Sequence, residues 1–297
     1  MAVMLLLVRY AIFQPVFLQN NLSGLMPGWQ FLLLVIATLC IGAGGYVIND
    51  VLDIEIDRIN KPGKQVIGSG ISEATGNRYH TYLTGAGVAA GIAFSYMAGN
   101  IYLSVIFVII PTALYYYSYK YKYLPAAGNV VVALLAALVV MIYWLFEFYH
   151  LKAKPELFID ASRSFLQLNR FVLAFAFFAF MTTLIREMIK DAQDIEGDRR
   201  FGCRTIPILA GIPATRYILV TLEILTIATV AWFQVRLFSS FRNMALALML
   251  TQVLMLYSII RTLSASTRND FNRLSFLYKI IMLAGMLSLV FIWMQNS

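Results

Sequence analysis

Nine long apolar runs dominate this sequence, at residues 2–19, 29–48, 79–98, 100–118, 127–147, 168–189, 214–236, 241–262 and 273–294, each bounded by polar or Gly/Pro-containing breaks. A helix takes about 20 residues to cross a hydrocarbon layer roughly 30 Å thick, so runs of this length predict membrane-spanning helices. Composition agrees, because 60% of the 297 residues are hydrophobic and only 13% charged, where soluble proteins carry roughly a quarter charged residues. The expected fold is therefore all-α, a polytopic membrane bundle of about nine transmembrane helices in a single domain, 1–297. The short first run and the narrow break at Gly99-Asn100 leave eight or ten helices open. The apolar start, Met1 to Leu7, has no basic residue ahead of it and no small-residue cleavage site, so it reads as part of the first membrane helix rather than a signal peptide.

The charge pattern orients the bundle. The net charge is +8, and no nucleic-acid motif accompanies it, so the basic residues are expected to mark cytoplasmic loops and anionic partners. Arg58, Lys61, Lys64 and Arg78 follow the second run, Lys120 and Lys122 the fourth, Lys190, Arg199, Arg200 and Arg204 the sixth, and Arg268 and Arg273 the eighth, with Arg261 at its edge. The first loop has none, and the fifth carries Lys152, Lys154 and Arg163. The positive-inside rule then places the even-numbered loops and the N-terminus in the cytoplasm and the C-terminus outside. Cys40 and Cys203 lie far apart and only His80 and His150 are present, which argues against a disulfide framework and a thiolate or histidine-rich metal site.

The acids are concentrated. Nine of the fifteen fall in the windows Asp50–Asp57 and Glu187–Asp198, each beginning where an apolar run ends. Asp50-Val-Leu-Asp53-Ile-Glu55-Ile-Asp57-Arg58 and Asp191-Ala-Gln-Asp194-Ile-Glu196-Gly-Asp198-Arg199 are identical at six of nine positions. This predicts an internal parallel duplication, with pseudo-repeats of roughly 1–147 and 148–297 whose motifs, four helices apart, open on the same side. On a continuous helix the spacing i, i+3, i+7 brings the three aspartates within about 60° on one face, with Glu55 and Glu196 roughly opposite. Three carboxylates on one face repel one another unless a cation sits among them, and oxygen donors without His or Cys suit a hard divalent ion such as Mg²⁺, which prefers to share its shell with water and phosphate oxygens. Paired Asp-rich faces at a membrane boundary thus point to two metal clusters clamping a diphosphate. Ordinary solvated helix-end charges need neither a fixed spacing nor a second copy.

At these residues the chain strongly resembles the UbiA superfamily of intramembrane prenyltransferases. Asn49-Asp50-x-x-Asp53-x-x-x-Asp57 fills the motif that this family carries after its second helix, and Asp191-x-x-Asp194-x-x-x-Asp198 its second Asp-rich motif. Arg58-Ile-Asn60-Lys61-Pro62, Ser69-Gly70-Ile71-Ser72, Tyr116-x-x-x-Lys120 and Gly128-Asn129 resemble further family segments. The string from Arg186 to Asp198 is most similar to the branch that makes ether lipids by adding a second geranylgeranyl chain to geranylgeranylglyceryl phosphate; an Ile-Glu-Gly-Asp string also occurs in members that prenylate rings such as 4-hydroxybenzoate. Two departures stand out. Where family loops continue with an Arg-Pro pair this chain has Lys64-Gln65, which keeps the charge and loses the bidentate fork of Arg. The Arg-Pro-x-Asn-like segment usual in the first helix is absent, which suggests a truncated or mis-started N-terminus.

The resemblance implies transfer of a polyprenyl group, expected to be geranylgeranyl, from its diphosphate to a lipophilic acceptor. Asp50, Asp53, Asp57, Asp191, Asp194 and Asp198 are then expected to hold Mg²⁺, with Asn49 orienting a ligand. Lys120 is expected to supply fixed positive charge, with Lys190, Arg58, Arg199 and Lys64 as further phosphate contacts and Tyr116 at the substrate. Loops 58–78 and 199–213 are expected to cap the site and exclude water. Membrane lipid is expected around the protein, in the cell membrane with the site facing the cytoplasm, and neither nucleic acid nor an obligate protein partner is expected. Ion-coupled carriers also combine repeats with intramembrane carboxylates, but place them near mid-span rather than at helix ends beside basic loops.

Overall fold

In a computed structural model, residues 1–60, 62–63, 65–237 and 241–296 are described. They form helices with no strand among them beyond an isolated Ile67–Ile71 bridge. In chain order the helices are α1 (Ala2–Gln19), α2 (Gly28–Leu52), α3 (Ile54–Asn60), α4 (Glu73–Met97), α5 (Ile101–Tyr119), α6 (Ala127–Lys152), α7 (Pro155–Ser162), α8 (Phe165–Gln193), α9 (Ile195–Arg200), α10 (Ile206–Leu237), α11 (Arg242–Ser264), α12 (Arg268–Leu287) and α13 (Val290–Asn296). Each apolar run lies on one long helix, α12 and α13 together carrying the last. Eight of these spans are long and apolar enough to cross a membrane. The third run lies on α4, as long as its neighbours but diluted by Thr75, Asn77, Thr81 and Thr84.

Packing explains why α4 still belongs to the bundle. It lies along α2, and a Cβ on Gly87 would come within 2.9 Å of the Ile41 nitrogen and 3.1 Å of the Ala37 oxygen, so the two backbones approach as only a glycine permits. α6 and α8 also pack along one another, and one continuous core of Leu, Ile, Val and Phe joins them to α1, α2, α11 and α12. α10 is bent at Gly211, where φ is +80°, just before Pro213; the apolar run begins beyond that bend.

Buried polar groups fasten the helices at fixed points. Away from the Asp-rich motifs, the buried Arg9 donates to the Met26 carbonyl at 2.7 Å, and the Met26 nitrogen donates to Glu147 at 2.9 Å, tying the 20–27 loop to α1 and α6. In the C-terminal half, fully buried Glu223 on α10 accepts from Ser258 on α11 at 2.6 Å and from the Tyr278 hydroxyl on α12 at 2.9 Å. Such bonds are strong where water is excluded.

Candidate active site

Both Asp-rich motifs adopt one local shape. α2 ends at Leu52, Asp53 takes φ −98° and ψ 7°, and α3 starts at Ile54; α8 ends at Gln193, Asp194 takes φ −104° and ψ 11°, and α9 starts at Ile195. The middle aspartate of each motif is thus a kink, not a position on an unbroken helix as the one-face spacing assumes. Backbone bonds across the kink persist, from the Asp53 nitrogen to Asn49 at 2.9 Å and from the Asp194 nitrogen to Lys190 at 2.9 Å. Asp has low helix propensity because its carboxylate competes for backbone groups, which suits it to such a break. Glu55 and Glu196 turn outward into exposed pairs with Arg58 and Arg200.

The two kinked segments meet through Asn60, the last residue of α3. Its buried side-chain amide donates to Asp198 at 3.1 Å, and its oxygen accepts from the Gly197 nitrogen at 3.0 Å. A Cβ at position 197 would fall 2.3 Å from the Asn60 oxygen, so glycine here, where the first copy has Ile56, lets α9 close onto α3. From the start of α12, Arg268 donates to the Asn60 carbonyl and lies 3.9 Å from Asp194.

Each motif also receives a donor from the α5–α6 region. Lys122 forms an ion pair with Asp53, both side chains largely buried. Asn49 donates to Asp53 at 2.9 Å and accepts from Ser118 at 3.3 Å, and Asn129 donates to Asp191 at 2.8 Å. Lys190 pairs with Glu187 at 2.8 Å, beside Arg186. The 203–204 stretch closes over the site: the Cys203 nitrogen donates to the Asp198 carbonyl at 2.9 Å and the Arg204 nitrogen to the Tyr123 carbonyl at 3.0 Å.

Several expected contacts fall elsewhere. α5 ends at Tyr119 and the chain tightens into a 3₁₀ turn over Tyr121–Tyr123, which leaves Lys120 exposed and brings Lys122 to the acids instead. Tyr116 is exposed and its ring packs against Tyr115 and Tyr121, whereas Tyr117 lies within electrostatic reach of Asp53, Glu187, Lys190 and Asp191. Arg58 is held outward by Glu55 at 2.8 Å, and Arg199 is exposed. Lys64 and Lys61 lie outside the described residues. Asp50 is exposed, and Asp57 and Asp191 are half-buried on the same end of the bundle. Lys122, Asn60 and Arg268 were not singled out as site residues from sequence; the Ile56-to-Gly197 difference between the copies was the one local signal that something packs there.

The electrostatics favour a cation. Burial, and next the charge of Asp194, push the Asp198 carboxyl up to about 7, and burial together with Asp198 pushes the Cys203 thiol up to about 12. Among the described residues no three acidic, His or Cys side chains already converge as a metal cage. Carboxylates spread over two facing segments fit a hard divalent ion that completes its shell with water and phosphate oxygens.

Fold and site together define a polytopic helical membrane protein in which two Asp-rich kinks face each other at one end of the bundle. The UbiA prenyltransferase family model matches residues 16–291, and the chain belongs to that family. It is 35% identical over 184 residues to the digeranylgeranylglyceryl phosphate synthase of Methanoculleus marisnigri, a match covering 62% of this chain and 58% of that relative's length. With the protein of the same name from Thermococcus kodakarensis it shares 28% identity over 259 residues, 87% of this chain and 84% of the other. A solved digeranylgeranylglyceryl phosphate synthase structure aligns with a TM-score of 0.65 and 24% identity over 98% of both chains. A UbiA homologue from Archaeoglobus fulgidus, bound to DMAPP and Mg²⁺, aligns with a TM-score of 0.52 and 17% identity over 97% of this chain and 96% of that one. These likenesses establish the fold.

Proposed function

We propose that this chain transfers a geranylgeranyl group from its diphosphate to geranylgeranylglyceryl phosphate, in the making of ether lipid. The observation that carries this reading is the meeting of the two Asp-rich kinks through Asn60, with the largely buried Lys122 at Asp53 and the exposed Arg268 reaching in at Asn60 and Asp194. The names of the relatives support the acceptor, and the ligands of the Archaeoglobus homologue support a prenyl diphosphate with Mg²⁺.

In this reading Asp50, Asp53, Asp57, Asp191, Asp194 and Asp198 hold Mg²⁺. Bound there, such an ion would supply Lewis-acid charge to the diphosphate leaving group, which would favour breaking of the allylic C–O bond. Lys122 and Arg268 supply fixed positive charge to phosphate oxygens, the role expected of Lys120. Asn49, Asn60 and Asn129 keep the Asp53, Asp198 and Asp191 carboxylates aimed. The 203–204 stretch excludes water, which would otherwise divert the reaction to a prenyl alcohol. The fold is one domain of two pseudo-repeats, 1–147 and 148–297, a reading supported by the matching kinks at Asp53 and Asp194. The basic loops at the Asp-rich end support a site on the cytoplasmic face.

Purified protein in detergent with Mg²⁺ and labelled geranylgeranyl diphosphate tests this directly. Geranylgeranylglyceryl phosphate should be prenylated and 4-hydroxybenzoate should not. Prenylation of the ring alone would move the chain to the quinone branch, and no product with either acceptor, together with donor binding unaffected by Asp50→Ala and Asp191→Ala, would sink the enzyme reading.

A further inference from the structure

Between α11 and α12 lies a cleft of about 310 Å³ that the prenyl-transfer reading does not use. Its walls are apolar, formed by Tyr257, Phe276, Leu277 and Ile280, and Arg261 and Arg273 both line it. Tyr257, Phe276 and Ile280 are exposed, on helices long and apolar enough to cross a membrane. The two arginines mark its level. Arg261 is in the last turn of α11 and Arg273 in the second turn of α12, so both lie where these spans leave the hydrocarbon. That end is the Asp-rich one, because Arg268, the first residue of α12, reaches Asn60.

Neither arginine has an acidic partner within ion-pair distance among the described residues. Asp270 is within electrostatic reach of Arg261, but its carboxylate is occupied by the α12 cap, accepting from the Ser266 nitrogen at 3.2 Å and from the Thr267 nitrogen and hydroxyl at 3.0 and 2.8 Å. An apolar slot facing lipid with two guanidinium groups at its interfacial end, neither in an ion pair among the described residues, matches one kind of ligand, a molecule with a phosphate head and a hydrocarbon tail. We propose that this cleft is a binding site for an anionic phospholipid of the surrounding membrane, its phosphate held by Arg261 and Arg273 and one chain lying along Tyr257, Leu277 and Ile280. The site is independent of the prenyl-transfer chemistry and stands or falls separately from it.

Native mass spectrometry of the full chain released from zwitterionic detergent, titrated with phosphatidylglycerol or phosphatidylcholine, tests the proposal. One phosphatidylglycerol should be retained in preference to phosphatidylcholine. The double substitution Arg261→Gln/Arg273→Gln should weaken that retention roughly ten- to thirtyfold, whereas Arg242→Gln at the other end of α11 should not. Ile280→Trp, which fills the slot and leaves both arginines, should weaken it as well, and this second variant keeps the test decisive if the double one misfolds. Equal retention of both lipids, equal loss in Arg242→Gln, or displacement by glycerol phosphate at matching concentration would overturn the site. So would a dimer that Ile280→Trp converts to monomer, which would assign the cleft to a second copy of the chain.

Discussion

Gly197→Ala probes the closure of the site more sharply than any change to a carboxylate. The added Cβ would lie 2.3, 2.6 and 2.7 Å from the Asn60 side-chain oxygen, carbon and nitrogen, and Asn60 is 4% exposed, with no room to swing aside. Relief of the clash requires giving up the bond from the Gly197 nitrogen and the bond to Asp198. The first is a neutral bond of about 0.5–1.5 kcal/mol and the second, to a carboxylate, of about 1.5–3 kcal/mol. Ala is favoured over Gly within a helix by about 1 kcal/mol, so the net loss should be roughly 1–3.5 kcal/mol. Equilibrium unfolding in detergent micelles, followed by tryptophan fluorescence, measures it. The decisive arm is the same change in an Asn60→Ala background, where nothing remains to clash and Gly197→Ala should become neutral or stabilising by up to about 1 kcal/mol. An equal loss in both backgrounds would refute the contact as the reason for glycine at this position.

Other outcomes follow from the same geometry. Lys122→Ala should lower prenyl transfer by roughly a hundredfold or more, as loss of a buried charge at a reacting phosphate does, while Lys120→Ala stays within about threefold; steady-state kinetics of the two variants rank them. Chelation of divalent ions should abolish turnover, restored by adding Mg²⁺ back, and Asp50→Ala and Asp191→Ala should each remove Mg²⁺-dependent donor binding as read by filtration of labelled diphosphate. Breaking the exposed Glu196–Arg200 pair with Glu196→Gln should shift stability by no more than about 0.5 kcal/mol in the same unfolding assay.

The bundle was legible because lipid imposes a simple code: a span needs length and apolarity, and hydropathy reports both. Helix ends were harder to place, since α2 and α8 continue past their apolar runs to Leu52 and Gln193, held by backbone bonds that hydropathy does not register. The acids were found by repetition, but an even spacing of aspartates contains no sign of the break at Asp53 and Asp194. Lys120 was preferred to Lys122 by family resemblance, and the 3₁₀ turn that exchanges them depends on how Gly128 packs against Tyr117 and the Tyr121 carbonyl. Arg268 lies 208 positions from Asn60, and only the folded chain brings them together.

The side-chain donors to Asp53, Asp191 and Asp198 all come from one half of the chain, and that has a bearing on how the protein is made. Asp53 finds both Asn49 and Lys122 within the first half of the chain. Asp191 and Asp198 find Asn129 and Asn60, again in the first half. A ribosome delivering the N-terminal helices first therefore supplies a segment whose kink aspartate is already compensated, and which then serves as the mould for the acids that emerge later. Chains halted before α8 should be tolerated by the membrane, whereas the second half synthesised alone would carry its carboxylates to the bilayer edge with no amide waiting for them.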